Sequence, residues 1–276
     1  MKRSDVRRLQ ELLVELNYDP GPIDGLWGSR TALALNQLHQ EKLTKPQMIA
    51  EKWSFDVPGI DISAWKPAAA HIDWDKLSAY GFGFAYLKAM QDVNYKSKKF
   101  RGHQAGFRDI GVDTGLYHYG DYEDNNKVGP ERAARAEAEW FSKVAGDNVG
   151  VLAPMLDVES GFDKSDDEAN AVFILEWCRI IAERYGKAGI YTAGWAWNLY
   201  LKRAPKSMLD EITELPLWWA RYKPSLDNLK GWKRAHIWQW SGKSKVDGIE
   251  KNGKHVLCDR NWSSEQALKS LRLDDA

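Results

Sequence analysis

Residues 153–159 read APMLDVE, an apolar run that ends on two acids one residue apart, Asp157 and Glu159, just before Ser160 and Gly161. Carboxylates are costly to bury on a strand. Either the strand has ended and both acids are solvated, or they form an acid/base site at the mouth of a barrel. Helical patterns flank the run at 130–145 (PERAARAEAEWFSKVA) and 167–185 (DEANAVFILEWCRIIAERY). Further strand-like runs lie outward on both sides: GIDISAW (59–65), FGFAYLKAM (82–90), VDTGLYHYG (112–120), KAGIYTAG (187–194), PLWWARY (216–222), AHIWQWSG (235–242) and HVLCDRNW (255–262). Strand–helix alternation predicts an α/β fold with a parallel sheet, and eight runs predict closure into a TIM-like barrel. The last three runs have short, poorly helical connections, so the barrel is expected to be irregular there.

Active sites of such barrels collect at the C-terminal ends of the strands. Asp61 lies in the first run, Asp157 and Glu159 end the fourth, and Asp259 lies in the eighth. In a closed barrel the eighth strand adjoins the first, which puts Asp259 beside Asp61. Asp157 and Glu159, two apart, point to one face with Cα atoms roughly 6.5 Å apart. Carboxylates clustered in one cavity raise the pKa of at least one member, as a general acid at neutral pH requires. An Asp-x-Glu spacing alone is common by chance. Its place at a strand end, in register with Asp61 and Asp259, is what points to chemistry.

Other constellations are weaker. The six His show no HExxH or paired spacing, so a zinc amidase is not expected, and no metal or cofactor is. His118 between Tyr117 and Tyr119 reads as a packed, hydrogen-bonded histidine. Cys258 precedes Asp259 and so faces the other side of its strand, which demotes a cysteine peptidase. With Cys178 on a helical pattern, the two cysteines read as buried free thiols. The basic stretch 96–101 (KSKKFR) reads as a solvated helix start.

Composition bounds the partners. In 276 residues, 43% are hydrophobic, and 39 basic against 39 acidic side chains leave no net charge. Such a chain has no global field for nucleic acid or an anionic membrane. The start, MKRSDVRRLQELL, lacks an apolar signal region, and no run approaches a membrane span, so a protein made in the cytoplasm without membrane insertion is expected. The 14 Trp and 11 Tyr invite a sugar-stacking reading. The candidates are Tyr117, Tyr119, Tyr191, Trp219, Tyr222, Trp238 and Trp240, of which at most half should face a cleft because strand neighbours alternate.

Residues 4–42 form a separate small unit. Val6, Leu9, Leu13 and Leu16 share a helical face, a loop dense in Gly and Pro follows (NYDPGPIDGLWGS), and a second helical pattern runs from Arg30 to Glu41. Residues 43–57 read as a linker or a short third helix. The expected division is a helical domain at 1–45, a linker at 46–57 and the barrel at 58–276.

Residues 59–262 resemble the glycoside hydrolase family 25 lysozymes, the Chalaropsis-type muramidases. The matching pieces, in order, are GIDISAW, LKA (87–89), GLYHYG (115–120), LDVE (156–159), GIYTAG (189–194), LWWARY (217–222), IWQWS (237–241) and CDRNW (258–262). The resemblance implies a barrel of five β/α units plus three further strands that cleaves peptidoglycan. It implies Glu159 as the general acid, with Asp61, Asp157 and Asp259 around it. It implies net retention, with Asp157 either attacking the anomeric carbon or orienting the substrate's own N-acetyl group. One departure is QDVNYKSKKF after LKA, where the family commonly has a glycine.

Residues 4–42 resemble the peptidoglycan-binding domain of cell-wall hydrolases, through VRRLQELL, the IDGLWG turn at 23–28, Thr31 and Ala34. This implies a three-helix wall-binding unit with Asp24, Gly25, Trp27 and Gly28 at its signature turn. The chain departs from the usual Phe-Gln pair at Leu38-His39. Together the two resemblances predict a monomeric endolysin-like muramidase acting on bacterial peptidoglycan, with a holin-type pore as its lysis partner. The competing readings are an N-acetylglucosaminidase or chitinase-like hydrolase, and a non-catalytic wall-binding protein.

Overall fold

The computed structural model describes residues 3–15, 18–42, 55–63, 71–223, 226 and 228–273. Two helices lead, α1 (Arg3–Glu15) and α2 (Ser29–Lys42). There follow β1 (Val57–Ile62), β2 (His71–Ile72), α3 (Trp74–Ser78), β3 (Phe84–Gln91), β4 (Tyr95–Lys96), α4 (Phe100–Asp109), β5 (Asp113–Tyr119), α5 (Tyr122–Asn125) and α6 (Pro130–Ala145). The rest comprises β6 (Leu152–Val158), α7 (Asp167–Tyr185), β7 (Gly189–Ala193), α8 (Gly194–Tyr200), α9 (Lys206–Ile212), β8 (Leu217–Ala220), β9 (Ile237–Lys251), β10 (Lys254–Ser263) and α10 (Glu265–Leu271). Of residues 43–57, expected as a linker or a short third helix, 43–54 lie outside the described residues.

Eight strands close a ring in the order β1, β3, β5, β6, β7, β8, β9, β10 and back to β1. Every pairing from β1 through to β9 is parallel. The expectation of a parallel sheet, irregular towards its end, holds up to the last strand: β10 runs antiparallel to both of its neighbours, β9 and β1. The reason is local. Asn252 and Gly253 both take positive φ (52° and 71°), the left-handed pair that closes a tight hairpin and sends the chain straight back. No helix joins β8 to β9 among the described residues.

Local chemistry sets the elements around the ring. Pro130 opens α6 after Gly129, and Ala133, Glu137, Ala138, Phe141 and Ala145 give it one buried stripe. Asp166 caps α7 by accepting from the Ala169 amide, and Gly186 ends it at φ 89°. All of β6 is buried, because one face looks into the barrel and the other lies under helices. The barrel interior holds Phe84, Tyr86, Ala153, Met155, Trp218 and Ile237, with Leu268 and Leu271 of α10 against the same cluster. Gly115 has no alternative: a Cβ there would come within 2.4 Å of the Tyr86 ring. The larger apolar layer lies between strands and helices and includes Phe107, Phe141, Trp177, Trp219 and Trp238. No helix among the described residues is long and apolar enough to cross a membrane.

Candidate active site

The strands deliver Asp61, Asp157, Glu159 and Asp259 into one cavity of about 220 Å³. Asp61 and Asp259 are direct partners in the antiparallel β1–β10 pairing. Asp157 is paired to Tyr119 on one side and to Tyr191 on the other, so both tyrosines stand beside it. Tyr117, Tyr119, Tyr191 and Trp218 supply the aromatic wall. Trp218 packs its ring 4.7 Å from Tyr191 and 4.9 Å from Tyr86, and its indole N–H donates to Asn261 at 2.8 Å.

Burial pushes the Asp61 carboxyl well above the usual range, and the Asp259 charge pushes it further. Two amides oppose this: Gln239 and Asn261 donate to the same oxygen, Oδ2, at 2.9 and 2.8 Å. Asp157 is also driven well up, by burial and then by Glu159, with Lys88 pulling the other way. Its Oδ1 is buried with no hydrogen-bond partner among the described residues. Glu159 is raised by burial, lowered by the Tyr191 hydroxyl and raised again by Asp259. Four like charges in one desolvated space cannot all ionise together, so the site retains protons at a pH where free carboxyls have lost theirs.

Three lining residues, Lys88, Gln239 and Trp218, together with Asn261, which donates to Asp61, are not among those singled out from the sequence. Lys88 is the one cation lining the cavity among the described residues. Its ammonium sits 4.2 Å over the Tyr119 ring and donates to Gln91 Oε1 at 2.9 Å. Gln239 is held from both ends: its amide N–H donates to Asp61, and its carbonyl lies 2.9 Å from the Tyr191 hydroxyl and 2.8 Å from that of Tyr222. For Lys88, Gln239 and Asn261 the signal is a polar side chain inside an apolar run, two residues from a neighbour that faces inward; Trp218 carries no such signal.

Trp219 and Trp238 do not line the cavity, a correction to their expected role. They are 1% and 0% exposed in the outer core, and the Trp238 indole donates to the Arg221 carbonyl at 2.8 Å. On β8 the alternation turns Trp218 inward, and on β9 it turns Gln239 inward. Trp240 is likewise packed at the edge of the outer layer, near Arg260. Tyr222, 60% exposed, stands at the rim. His118 faces outward, where Nε2 lies 2.7 Å from Glu137 Oε2 with both side chains buried. Cys178 and Cys258 are buried and form no disulfide among the described residues.

In the N-terminal unit the turn at 23–28 is held by Gln10. Its amide donates to Asp24 Oδ1, the Leu26 carbonyl and Thr31 Oγ1, and its own carbonyl accepts from the Gly25 amide at 2.9 Å. Asp24 also accepts from the Leu26 amide at 2.8 Å, and Gly25 takes φ 74°. Asp24 and Gly25 therefore shape the loop, while Trp27, 46% exposed, is presented outward by it. Gly28 has open space around its Cα.

An acid-lined cavity at the mouth of an eight-stranded barrel matches a known pattern over most of its length. Residues 60–249 match the model of the glycosyl hydrolases family 25. The chain belongs to that family. Among its relatives, Lysozyme M1 of Streptomyces globisporus is 27% identical over 228 residues, 79% of this chain and 71% of that protein. The N,O-diacetylmuramidase of Arthroderma benhamiae is 24% identical over 202 residues, 69% of this chain and 81% of that one. In fold, the family 25 barrel here is similar to the bacterial lysozyme of Streptomyces coelicolor, with a TM-score of 0.63 at 24% identity over 79% of this chain and 98% of that one.

Proposed function

We propose that this chain is a lysozyme, an N-acetylmuramidase that hydrolyses the β-1,4 bond between N-acetylmuramic acid and N-acetylglucosamine in peptidoglycan. The observation that carries this reading is the meeting of Asp157 and Glu159 with Asp61 and Asp259 in one desolvated cavity of a family 25 barrel. Glu159 gives its proton to the glycosidic oxygen as the bond to the anomeric carbon breaks. The electron pair of that bond leaves on the oxygen. Asp157, beside Lys88, either attacks the anomeric carbon or orients the substrate's 2-acetamido group to do so. Water then completes hydrolysis, with Glu159 recovering its proton, and configuration is retained. Asp61, held by Gln239 and Asn261, fixes a third carboxyl beside this acid pair.

The ring is read as five β/α units followed by three strands, and residues 1–45 as a wall-binding module that presents Trp27. Borohydride reduction of a peptidoglycan digest, followed by mass spectrometry, tests the bond assignment. Muramitol is the expected product. Glucosaminitol in its place overturns the assignment and promotes an N-acetylglucosaminidase.

A further inference from the structure

Beyond Gln239, β9 no longer pairs with β8. From there β9 and β10 run on together as a two-stranded arm past the barrel rim. One face of this arm is anchored. Val246 and Ile249 are buried, β2 pairs with Ile249 and Glu250, and the Asp247 amide donates to the Tyr80 hydroxyl at 2.7 Å. The other face is open and carries Lys243, Lys245 and Leu257. Lys245 and Leu257 are direct cross-strand partners. Leu257 is 38% exposed, and the next residue on its face is Asp259, already inside the cavity. Gly242 sits at the join: a Cβ there would lie 3.1 Å from the Tyr222 hydroxyl and 3.2 Å from Asp259 Oδ1. The floor of the cleft thus leads onto the arm, across shifts of register in the β9–β10 ladder between Cys258 and Asn261.

Charge on this arm is unbalanced. Of its acids, Asp247 is engaged by His255 at 3.5 Å, and Glu250 pairs in the ladder across from His255. Among the described residues no carboxylate pairs with Lys243 or Lys245, although the chain as a whole is neutral. Two unmatched cations beside an exposed leucine, leading away from an acid-lined cavity, suit a ligand that is a sugar at one end and an anionic peptide at the other.

We propose that the open face of the β9–β10 arm binds the carboxylate-bearing peptide stem of the muramyl residue, and so selects stem-substituted glycan over bare glycan. The inference rests on the muramidase reading and deepens it. Reach supports it. Leu257 and Lys245 lie about two residues, roughly 7 Å, beyond Asp259 along the strand, and an extended stem covers ~3.3–3.6 Å per residue. Two or three stem residues hung from a sugar in the cavity therefore span the distance. Leu257 offers contact to the small apolar side chains of the stem, and the lysines offer charge to its free carboxylates.

The test is Lys243→Glu/Lys245→Glu, assayed for release of reducing ends from sacculi cleared of teichoic acid and from the same sacculi with their stems removed by an amidase. Reversing two exposed charge contacts should raise KM on stem-bearing glycan by roughly 2- to 30-fold, with kcat unchanged. KM on stem-free glycan should not move. The difference should fade as salt approaches ~1 M, where screening reaches ~3 Å. Equal effects on both substrates, or none on either, overturn the proposal while the muramidase reading stands. An effect seen only on sacculi that keep their teichoic acid assigns the face to a phosphate polymer and also overturns it. Wild-type protein inactive on both glycans sinks the muramidase reading instead. Equilibrium dialysis of a soluble muramyl peptide then decides the arm separately, with weaker retention by the double variant expected and equal retention contradicting the proposal.

Discussion

Tyr191→Phe removes a single hydroxyl that lies 3.1 Å from Glu159 Oε1 and 2.9 Å from Gln239 Oε1. Burial drives the Glu159 carboxyl up, and this hydroxyl is the largest influence drawing it back down. A hydrogen bond to a charged group contributes about 1.5–3 kcal/mol. The contact here is longer than the 2.5–2.7 Å of strong O–H···O⁻ bonds and is shared with Gln239, so the lower end applies. That is about a factor of ten between the protonated and ionised forms. A general acid works only while protonated, so its activity falls as pH rises through its titration. Removing the hydroxyl favours the protonated form and must carry the alkaline limb upward. The assay is kcat/KM on a soluble glycan fragment against pH, with the limb expected to move up by about one unit. Asp61 keeps both of its amide donors in the variant, so the plateau should fall modestly. An alkaline limb that stays in place or moves down refutes the role given to Tyr191.

Glu159→Gln keeps shape and the capacity to accept from Tyr191 but has no proton to give, so clearing of sacculi should drop by about 10²–10⁴ with binding and melting temperature retained. Asp157→Asn should abolish turnover yet raise the melting temperature at neutral pH, by about 2–4 °C for each kcal/mol recovered. The sign follows from the raised pKa: burial penalises the ionised form of Asp157, so stability is lost as pH climbs through its titration, and a neutral amide escapes that loss, so the gain should shrink on acidification. Gly115→Ala should lower stability by about 1–3 kcal/mol in denaturant titrations, because its Cβ meets the Tyr86 ring. Deleting residues 1–45 should spare cleavage of soluble fragments and weaken activity on insoluble sacculi, since tethering raises effective concentration at the surface. Equal losses on the two substrates would contradict the binding role of that segment.

Much of the barrel was legible because its strands are short apolar runs spaced by helical patterns, and period and punctuation suffice to find them. The neighbourhood of Asp61 and Asp259 followed from closure alone, and the two are paired residue to residue. Direction was less legible. The reversal of β10 depends on Asn252-Gly253, a hairpin signal lying beyond the strand-like run 235–242. Side-chain facing was least legible where both faces of a strand are buried. LWWA on β8 has a tryptophan on each face, so alternation fixes that one points inward without fixing which. On β9 the adjacent residues do differ in kind, and the polar one, Gln239, is the one that meets the cavity.

That difference is a usable rule for this barrel. A glutamine between two tryptophans, a lysine between Leu87 and Ala89, and an asparagine before Trp262 are each expensive to bury against apolar neighbours. Each is tolerated because its face opens on other polar groups: Gln239 and Asn261 on Asp61, Lys88 on Gln91 and the charges of Asp157 and Glu159. The four acids therefore do not stand alone. Their repulsion is offset by one ammonium and two amides whose positions depend in turn on Tyr119, Tyr191, Tyr222 and Trp218. This is why burial can raise Asp61, Asp157 and Glu159 together without expelling any of them to solvent, and why the aromatic residues around the acids matter as much for holding that polar network as for any sugar they touch.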